Sequence, residues 1–65
     1  MTGPELKSAL AELGVTQVQF ARLCGAHPVT AYQWCRAAEV PGPVALAARL
    51  LARLPDDEVA ELLAA

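Results

Sequence analysis

Apolar residues recur at helical spacing in five successive segments of the chain. The first segment has Thr2 as its predicted N-cap and Gly14 as its C-terminal stop. Its apolar positions follow the i, i+3, i+4, i+7 spacing of one helical face, and they are Leu6, Ala9, Leu10 and Leu13. The second segment begins at Thr16, with Gln19 placed three residues later as a capping box requires, and it ends at Gly25. Its predicted apolar face consists of Phe20, Ala21, Leu23 and Cys24.

Prolines separate the remaining three segments. Pro28 suits the first turn of a third helix, which is expected to run to about Ala38 because Pro41-Gly42-Pro43 stops it. Pro43 opens a fourth helix with apolar positions at Val44, Ala47, Leu50, Leu51 and Leu54. Pro55 ends that helix, and the acidic run Asp56-Asp57-Glu58 suits the start of a fifth helix over about residues 56–64. The pattern predicts an all-α fold of five short helices in one domain, residues 1–65.

Composition agrees with a small helical domain. The 65 residues are 55% hydrophobic and 18% charged, with alanine and leucine dominant and few β-branched residues. The longest apolar run, Val44–Ala48, is far shorter than the roughly 20 residues of a membrane span. The N-terminus carries Glu5 and has no apolar segment before Lys7, so no secretory signal is expected. Cys24 and Cys35, with one histidine in the chain, match no zinc spacing. We expect reduced, buried thiols and a cytoplasmic protein without membrane association.

Charge is unevenly distributed along the chain. Residues 55–65 carry a net charge of −4, whereas residues 1–54 carry +2, so the total is −2. This asymmetry permits one face to meet a polyanion. The basic residues Arg22, Arg49 and Arg53 are interpreted as solvated or as partners of the acidic C-terminal segment rather than as nucleic-acid ligands.

The third predicted helix has two different faces. One is compatible with a core and holds Ala31, Trp34, Cys35 and Ala38. The opposite face has the same spacing and holds Val29, Tyr32, Gln33 and Arg36, with Thr30 at its border. Such a face is either a binding surface or an ordinary solvated surface. The preceding helix and turn decide between these two interpretations.

Two short helices joined by a glycine-bearing turn are typical of a helix-turn-helix. The pattern here resembles the phage-repressor and Cro family, the XRE-type helix-turn-helix regulators of bacteria and phages. The residues that carry this resemblance are Thr16, Gln17, Phe20, Ala21, Gly25, Thr30 and Trp34. It extends over nearly the whole chain and implies a lambda-repressor-like domain. Such a domain is expected to bind a palindromic operator in double-stranded DNA, with the third helix in the major groove, and to act as a transcriptional regulator, here a repressor.

The resemblance also implies roles for individual residues. The base-facing positions would be His27, Pro28, Val29, Thr30 and Gln33, and those near phosphate would be Thr16, Gln17, Tyr32 and Arg36. Gln33 can bond adenine through two hydrogen bonds, and Val29 can contact a thymine methyl group. Two alternatives stay open: His27 caps the third helix instead, and Tyr32 packs partly into the core.

Three positions depart from the family pattern. A basic residue in the first helix often pairs with a glutamate after the tryptophan position, but here Leu10 and Cys35 occupy those places. An apolar contact is therefore expected to replace a buried ion pair. The usual glycine after the recognition helix is Ala37, which suggests that this helix continues for about another turn.

A homodimer is expected, because one recognition helix reads few base pairs and a short chain gains stability by association. The predicted interface is centred on the fifth helix, with the end of the fourth, and comprises Leu54, Val59, Leu62 and Leu63. The alternative function is a protein-interaction module such as an antitoxin or adaptor domain, which predicts an apolar patch on the outer face of the third helix. No enzymatic activity, cofactor, metal or small-molecule effector is predicted.

Overall fold

A computed structural model describes all 65 residues and consists of five helices without strands. The helices are α1 (Gly3–Leu13), α2 (Gln17–Leu23), α3 (Pro28–Trp34), α4 (Gly42–Leu51) and α5 (Asp56–Ala64). The prediction of an all-α fold with five helices is confirmed. None of the helices combines the length and the apolar character that crossing a bilayer would require.

The first two helices begin in the same way. At α1 the Glu5 amide donates to the Thr2 hydroxyl at 3.2 Å, and the Thr2 amide donates to the Glu5 carboxylate at 2.7 Å. At α2 the corresponding bonds join Thr16 and Gln19 at 3.0 and 2.9 Å. Both helices therefore start with a complete capping box, which satisfies amides that a helix N-terminus otherwise leaves free.

An apolar residue precedes each of these capping boxes. Val15 lies just before the cap of α2 and is buried in the same core cluster as Phe20, the fourth residue of that helix. Met1 stands in the same position relative to Leu6 of α1 and packs against the cluster. These are the positions of a hydrophobic staple, which sets the direction in which the chain enters a helix.

The start of α1 packs tightly under the end of α3. The Gly3 amide donates to the Ala37 carbonyl oxygen at 2.8 Å, and the Val40 amide donates to the Met1 carbonyl oxygen at 2.8 Å. A Cβ atom on Gly3 would lie 2.6 Å from backbone atoms of Trp34 and Cys35. Only glycine fits here, a requirement that was not anticipated from the sequence.

This packing explains why α3 is shorter than predicted. It ends at Trp34 rather than near Ala38, and tight turns follow in which the Arg36 amide donates to Gln33 and the Ala37 amide to Trp34. The expectation that Ala37 lets the helix continue is wrong, because the backbone after Trp34 bonds to the start of α1 instead.

The core is formed by side chains from all five helices and the loops between them. Eleven buried residues form one cluster, which includes Leu10, Val40, Ala48 and Val59. α2 packs mainly on α3 and α1 packs mainly on α4, while α5 also contacts α2.

Two predicted apolar faces need correction. α4 buries Val44, Ala45, Ala48 and Leu51, whereas Leu50 is 55% exposed and Leu54 lies beyond the helix end. Adjacent residues in a helix point about 100° apart, so Leu50 and Leu51 cannot both face the core. In α2 only Phe20 and Ala21 are buried; Leu23 is exposed, and so is Cys24, because the helix ends at Leu23.

Candidate functional site

The candidate site is built on α2, the turn Cys24–His27 and α3. Gly25 in the turn has a φ of +69°, a left-handed conformation that side chains with a Cβ atom rarely adopt. The Ala26 amide donates to the Ala21 carbonyl oxygen at 2.8 Å, which reverses the chain immediately after α2. Four residues therefore suffice to join the two helices.

Small buried residues let α2 and α3 approach each other. Ala21 of α2 and Ala31 of α3 are both almost completely buried. The rings of Phe20 and Trp34 meet edge to face, with 6.1 Å between centroids and an interplanar angle of 74°. This geometry is favourable for aromatic pairs and fixes the rotation of α3 about its own axis. The prediction that Trp34 packs on the core is confirmed.

Because one face of α3 is held in this way, the opposite face points to solvent. Val29 is 51% exposed, Tyr32 is 43% exposed, and Gln33 is also exposed. At 43% exposure, more than half of the Tyr32 surface is covered by its own chain, so the alternative of a partly buried packing residue stays open for Tyr32. The outer face offers a branched aliphatic group, a phenol and an amide along two helical turns.

His27 caps α3, which is the alternative role that the sequence left open for this residue. Its Nδ1 atom accepts a hydrogen bond from the Val29 amide at 3.2 Å. An Nδ1 atom that accepts must be unprotonated, so the neutral ring carries its proton on Nε2. The cap leaves Nε2 available as a donor at the exposed start of α3. Next to it, Pro28 and Thr30 are half-buried at the edge of the outer face.

Arg36 lies close to this face in sequence but not on the helix. It follows α3 in a turn and is exposed. The predicted stripe of four helical positions is therefore limited to Val29, Tyr32 and Gln33, with Arg36 beyond its end.

The start of α2 is already occupied by its own cap. The Thr16 hydroxyl accepts the bond from Gln19, and Gln17 is half-buried at the first position of the helix. A hydroxyl that accepts one bond keeps its hydrogen for donation, so Thr16 still has a donor.

No family model, curated protein or solved structure matches the chain. The functional interpretation of this surface therefore depends on its geometry and on the residue pattern. No group of three or more histidine, cysteine, aspartate or glutamate side chains is placed to hold a metal ion.

The two core residues that differ from the family pattern are both buried. Leu10 and Cys35 belong to the same core cluster, and burial raises the pKa of the Cys35 thiol above its usual value. A raised thiol pKa lowers the thiolate fraction and thus the reactivity of Cys35. The expectation of buried thiols is correct for Cys35 and wrong for Cys24.

The residues of the predicted dimer interface differ in accessibility. Val59 is only 5% exposed and belongs to the core of its own chain, so it has almost no surface for a partner. Leu54 and Leu63 are half-buried, and Leu62 is exposed. Sequence reasoning missed the exposed Leu50, although the adjacent pair Leu50-Leu51 indicates that one of the two faces away from the core.

Proposed function

We propose that the chain is a sequence-specific DNA-binding protein of the helix-turn-helix class that regulates transcription as a homodimer. α2 would lie across the DNA backbone and α3 would enter the major groove, as in other helix-turn-helix proteins. The phage-repressor and Cro resemblance of residues 16–34 agrees with this assignment.

One observation carries the proposal. α3 is held through its inner face by Ala31 and by the contact of Trp34 with Phe20, while the outer face is exposed. Specific DNA recognition needs side chains held in a fixed register, and a helix of this size fits the major groove. Of the exposed residues, Gln33 is the one with a side chain that can form two hydrogen bonds with adenine.

The other residues of the face have subordinate roles in this proposal. Val29 would contact a thymine methyl group, and His27 would donate from Nε2 to a base edge or phosphate while its Nδ1 atom caps the helix. Thr16, Gln17, Tyr32 and Arg36 would contact the backbone. With a single arginine beside the helix, we expect a shallow salt dependence of DNA affinity.

The alternative, a protein-interaction module, predicted an apolar patch on the outer face of α3. That face combines Val29 and Tyr32 with the polar Gln33, and it has Arg36 beside it. The apolar groove of the molecule contains no residue of α3. These observations favour DNA over a protein as the ligand of this face.

Selection from randomised DNA duplexes with the purified protein tests the proposal directly. Enrichment of a two-fold symmetric sequence with half-site centres about 34–36 Å apart supports it. Recovery of no preferred sequence at low salt would contradict it.

Two matched substitutions then test the placement of α3. Gln33→Ala should cost about 1–3 kcal/mol on the selected site and relax the preference at one base pair. Arg36→Ala should weaken all sequences alike and reduce the salt slope by about 1. Arg49→Ala removes an exposed arginine from α4 and serves as the control that changes neither quantity. Unchanged affinity and base preference in Gln33→Ala would show that the placement is wrong.

A further inference from the structure

An apolar groove of about 250 Å³ lies among α2, α4 and the C-terminal part of the chain. All of its lining residues are hydrophobic, and they include Leu23 of α2, Leu50 of α4 and Leu62 of α5. These three leucines are exposed although they are large and apolar. Contiguous exposed apolar surface is typical of an interaction site.

Charged side chains of opposite sign line two depressions that adjoin the groove. Leu62 lines the groove and both depressions; the first depression also shares Leu23 with the groove, and the second also shares Leu54. The first contains Arg22 together with the C-terminal end of α5, and the second contains Glu58 and Glu61. None of these three charged side chains forms an ion pair, since the one salt bridge of the chain joins the Met1 ammonium group to Glu39.

This arrangement is complementary to itself. A two-fold rotation about an axis beside Leu62 would bring the apolar centre of one copy onto that of another. The same rotation would place Arg22 of each copy near Glu58 and Glu61 of the other, so that each attraction occurs twice. Two-fold dimers require this kind of self-complementary surface. We therefore propose that the groove among α2, α4 and α5 is the surface on which a second copy of the chain docks.

The size of the molecule indicates how far the interface extends. Its accessible surface is 4223 Å², and a stable interface takes about 800 Å² from each partner, or about a fifth of that total. A groove of this volume is too small by itself, so the surface of the neighbouring depressions, formed by α2 and by residues 54–65, must take part as well. The exposed residues of α3 line none of these depressions and would stay free.

This inference specifies the surface of the proposed homodimer, and it does not depend on DNA binding. It also revises the interface predicted from the sequence. Leu62 remains in the interface, Val59 is removed from it because its side chain is buried, and Leu23 and Leu50 are added to it.

Sedimentation of the free protein at micromolar concentrations tests the apolar part of the surface. Leu50 and Leu46 are both in α4 and both 55% exposed, but only Leu50 lines the groove. Leu50→Asp should weaken dimerisation about a hundredfold or more, because symmetry places two unpaired carboxylates in the interface. Leu46→Asp should leave the dimer largely intact. Circular dichroism shows whether both variants are folded.

Charge exchange tests the orientation of the two copies. Arg22→Glu and Glu61→Arg should each weaken the dimer about tenfold, because like charges then face each other twice. The double variant Arg22→Glu/Glu61→Arg should restore it. Arg36→Glu has the same charge change as Arg22→Glu but lies beside α3, and it should leave dimerisation unchanged.

The outcomes separate this inference from the DNA-binding proposal. An intact protein that stays monomeric, or a dimer that tolerates both Leu50→Asp and the single charge reversals, would overturn the groove as the interface. Failure of the double variant to restore the dimer would overturn the two-fold arrangement. A dimer that responds as expected but selects no DNA sequence supports the interface and contradicts only the DNA-binding proposal.

Discussion

The three N-terminal helices and the two C-terminal helices are stabilised in different ways. α1, α2 and α3 each begin with a side-chain cap, formed by Thr2, Thr16 and His27. α4 and α5 begin after Pro41 and Pro55 and have no side-chain cap. Local hydrogen bonds therefore define the first three helices, whereas α4 and α5 depend more on tertiary contacts.

The two regions also differ in what they leave exposed. The outer face of α3 is mixed in character and belongs to a helix held firmly by its inner face. Around α4 and α5, exposed leucines stand beside charges without partners. This difference agrees with the proposed division of roles, in which the outer face of α3 would bind DNA and the surface formed by α4, α5 and the adjoining end of α2 would bind a second copy.

The largest expected effect comes from Gly3, the glycine that begins α1. Gly3→Ala should destabilise the fold by about 3 kcal/mol, because the new Cβ would lie 2.6 Å from backbone that cannot move aside. Gly42→Ala is the matched control, since Gly42 also precedes a proline at a helix start and a Cβ there meets nothing within 4 Å. Urea denaturation measures both variants. Equal stabilities would refute the tight packing of α1 under α3.

A smaller effect is expected where α5 is anchored. Val59 is the one buried residue of α5, so Val59→Ala should cost about 1.5–2 kcal/mol through lost apolar burial. Hydrogen exchange should accelerate mainly in α5, while the amides of α1–α3 keep their protection. Ala60→Gly, at an exposed position in the same helix, controls for helix propensity alone. Uniform acceleration over all five helices would argue against separate behaviour of the two regions.

The capping box of α2 contributes less to the stability of the fold than the burial of Val59 does. Thr16→Ala should cost about 1 kcal/mol, because the Gln19 amide loses its acceptor. Thr16→Ser should retain most of the stability, since serine supplies the same oxygen. The difference between the two variants in thermal unfolding isolates the cap. Equal losses in both would indicate that Thr16 acts through its methyl group instead.

The smallest effect is a difference in acid sensitivity between the two capping boxes. The bond from the Thr2 amide holds the pKa of the Glu5 carboxyl below its usual value of 4.5. A lowered folded-state pKa stabilises the fold above the ordinary glutamate pKa, and this contribution is lost as pH falls through the lowered value. The side-chain amide of Gln19 has no acidic proton to lose or gain in this range, so the cap of α2 should not change as the pH falls.

Amide exchange at the start of α1 and α2 measures this difference. Acidification below about pH 4.5 should loosen α1 in the unmodified protein but not in Glu5→Gln, which retains an acceptor at this position. Parallel acid responses at both helix starts would contradict a specific role of Glu5.

Much of the fold follows from short-range sequence signals. Thr16 and Gln19 predict the start of α2, Gly14 the end of α1, and Pro55 with the acidic run predicts α5 at its observed bounds. These signals act within about one helical turn, because caps and glycine stops engage neighbouring backbone groups. The inner face of α3 was predictable for the same reason, since Ala31 and Trp34 share a helical stripe.

Only the tertiary structure decided where α3 ends, which face of α4 is buried and which residue must be glycine. The end of α3 depends on hydrogen bonds with the first residues of the chain, in which the Gly3 amide donates to Ala37 and the Met1 carbonyl oxygen accepts from Val40. α4 is apolar on several sides, so periodicity could not select between Leu50 and Leu51, and packing against α1 did. Local patterns determine where helices begin, whereas long-range contacts determine how helices end and face one another, because those contacts join residues that no sequence window contains together.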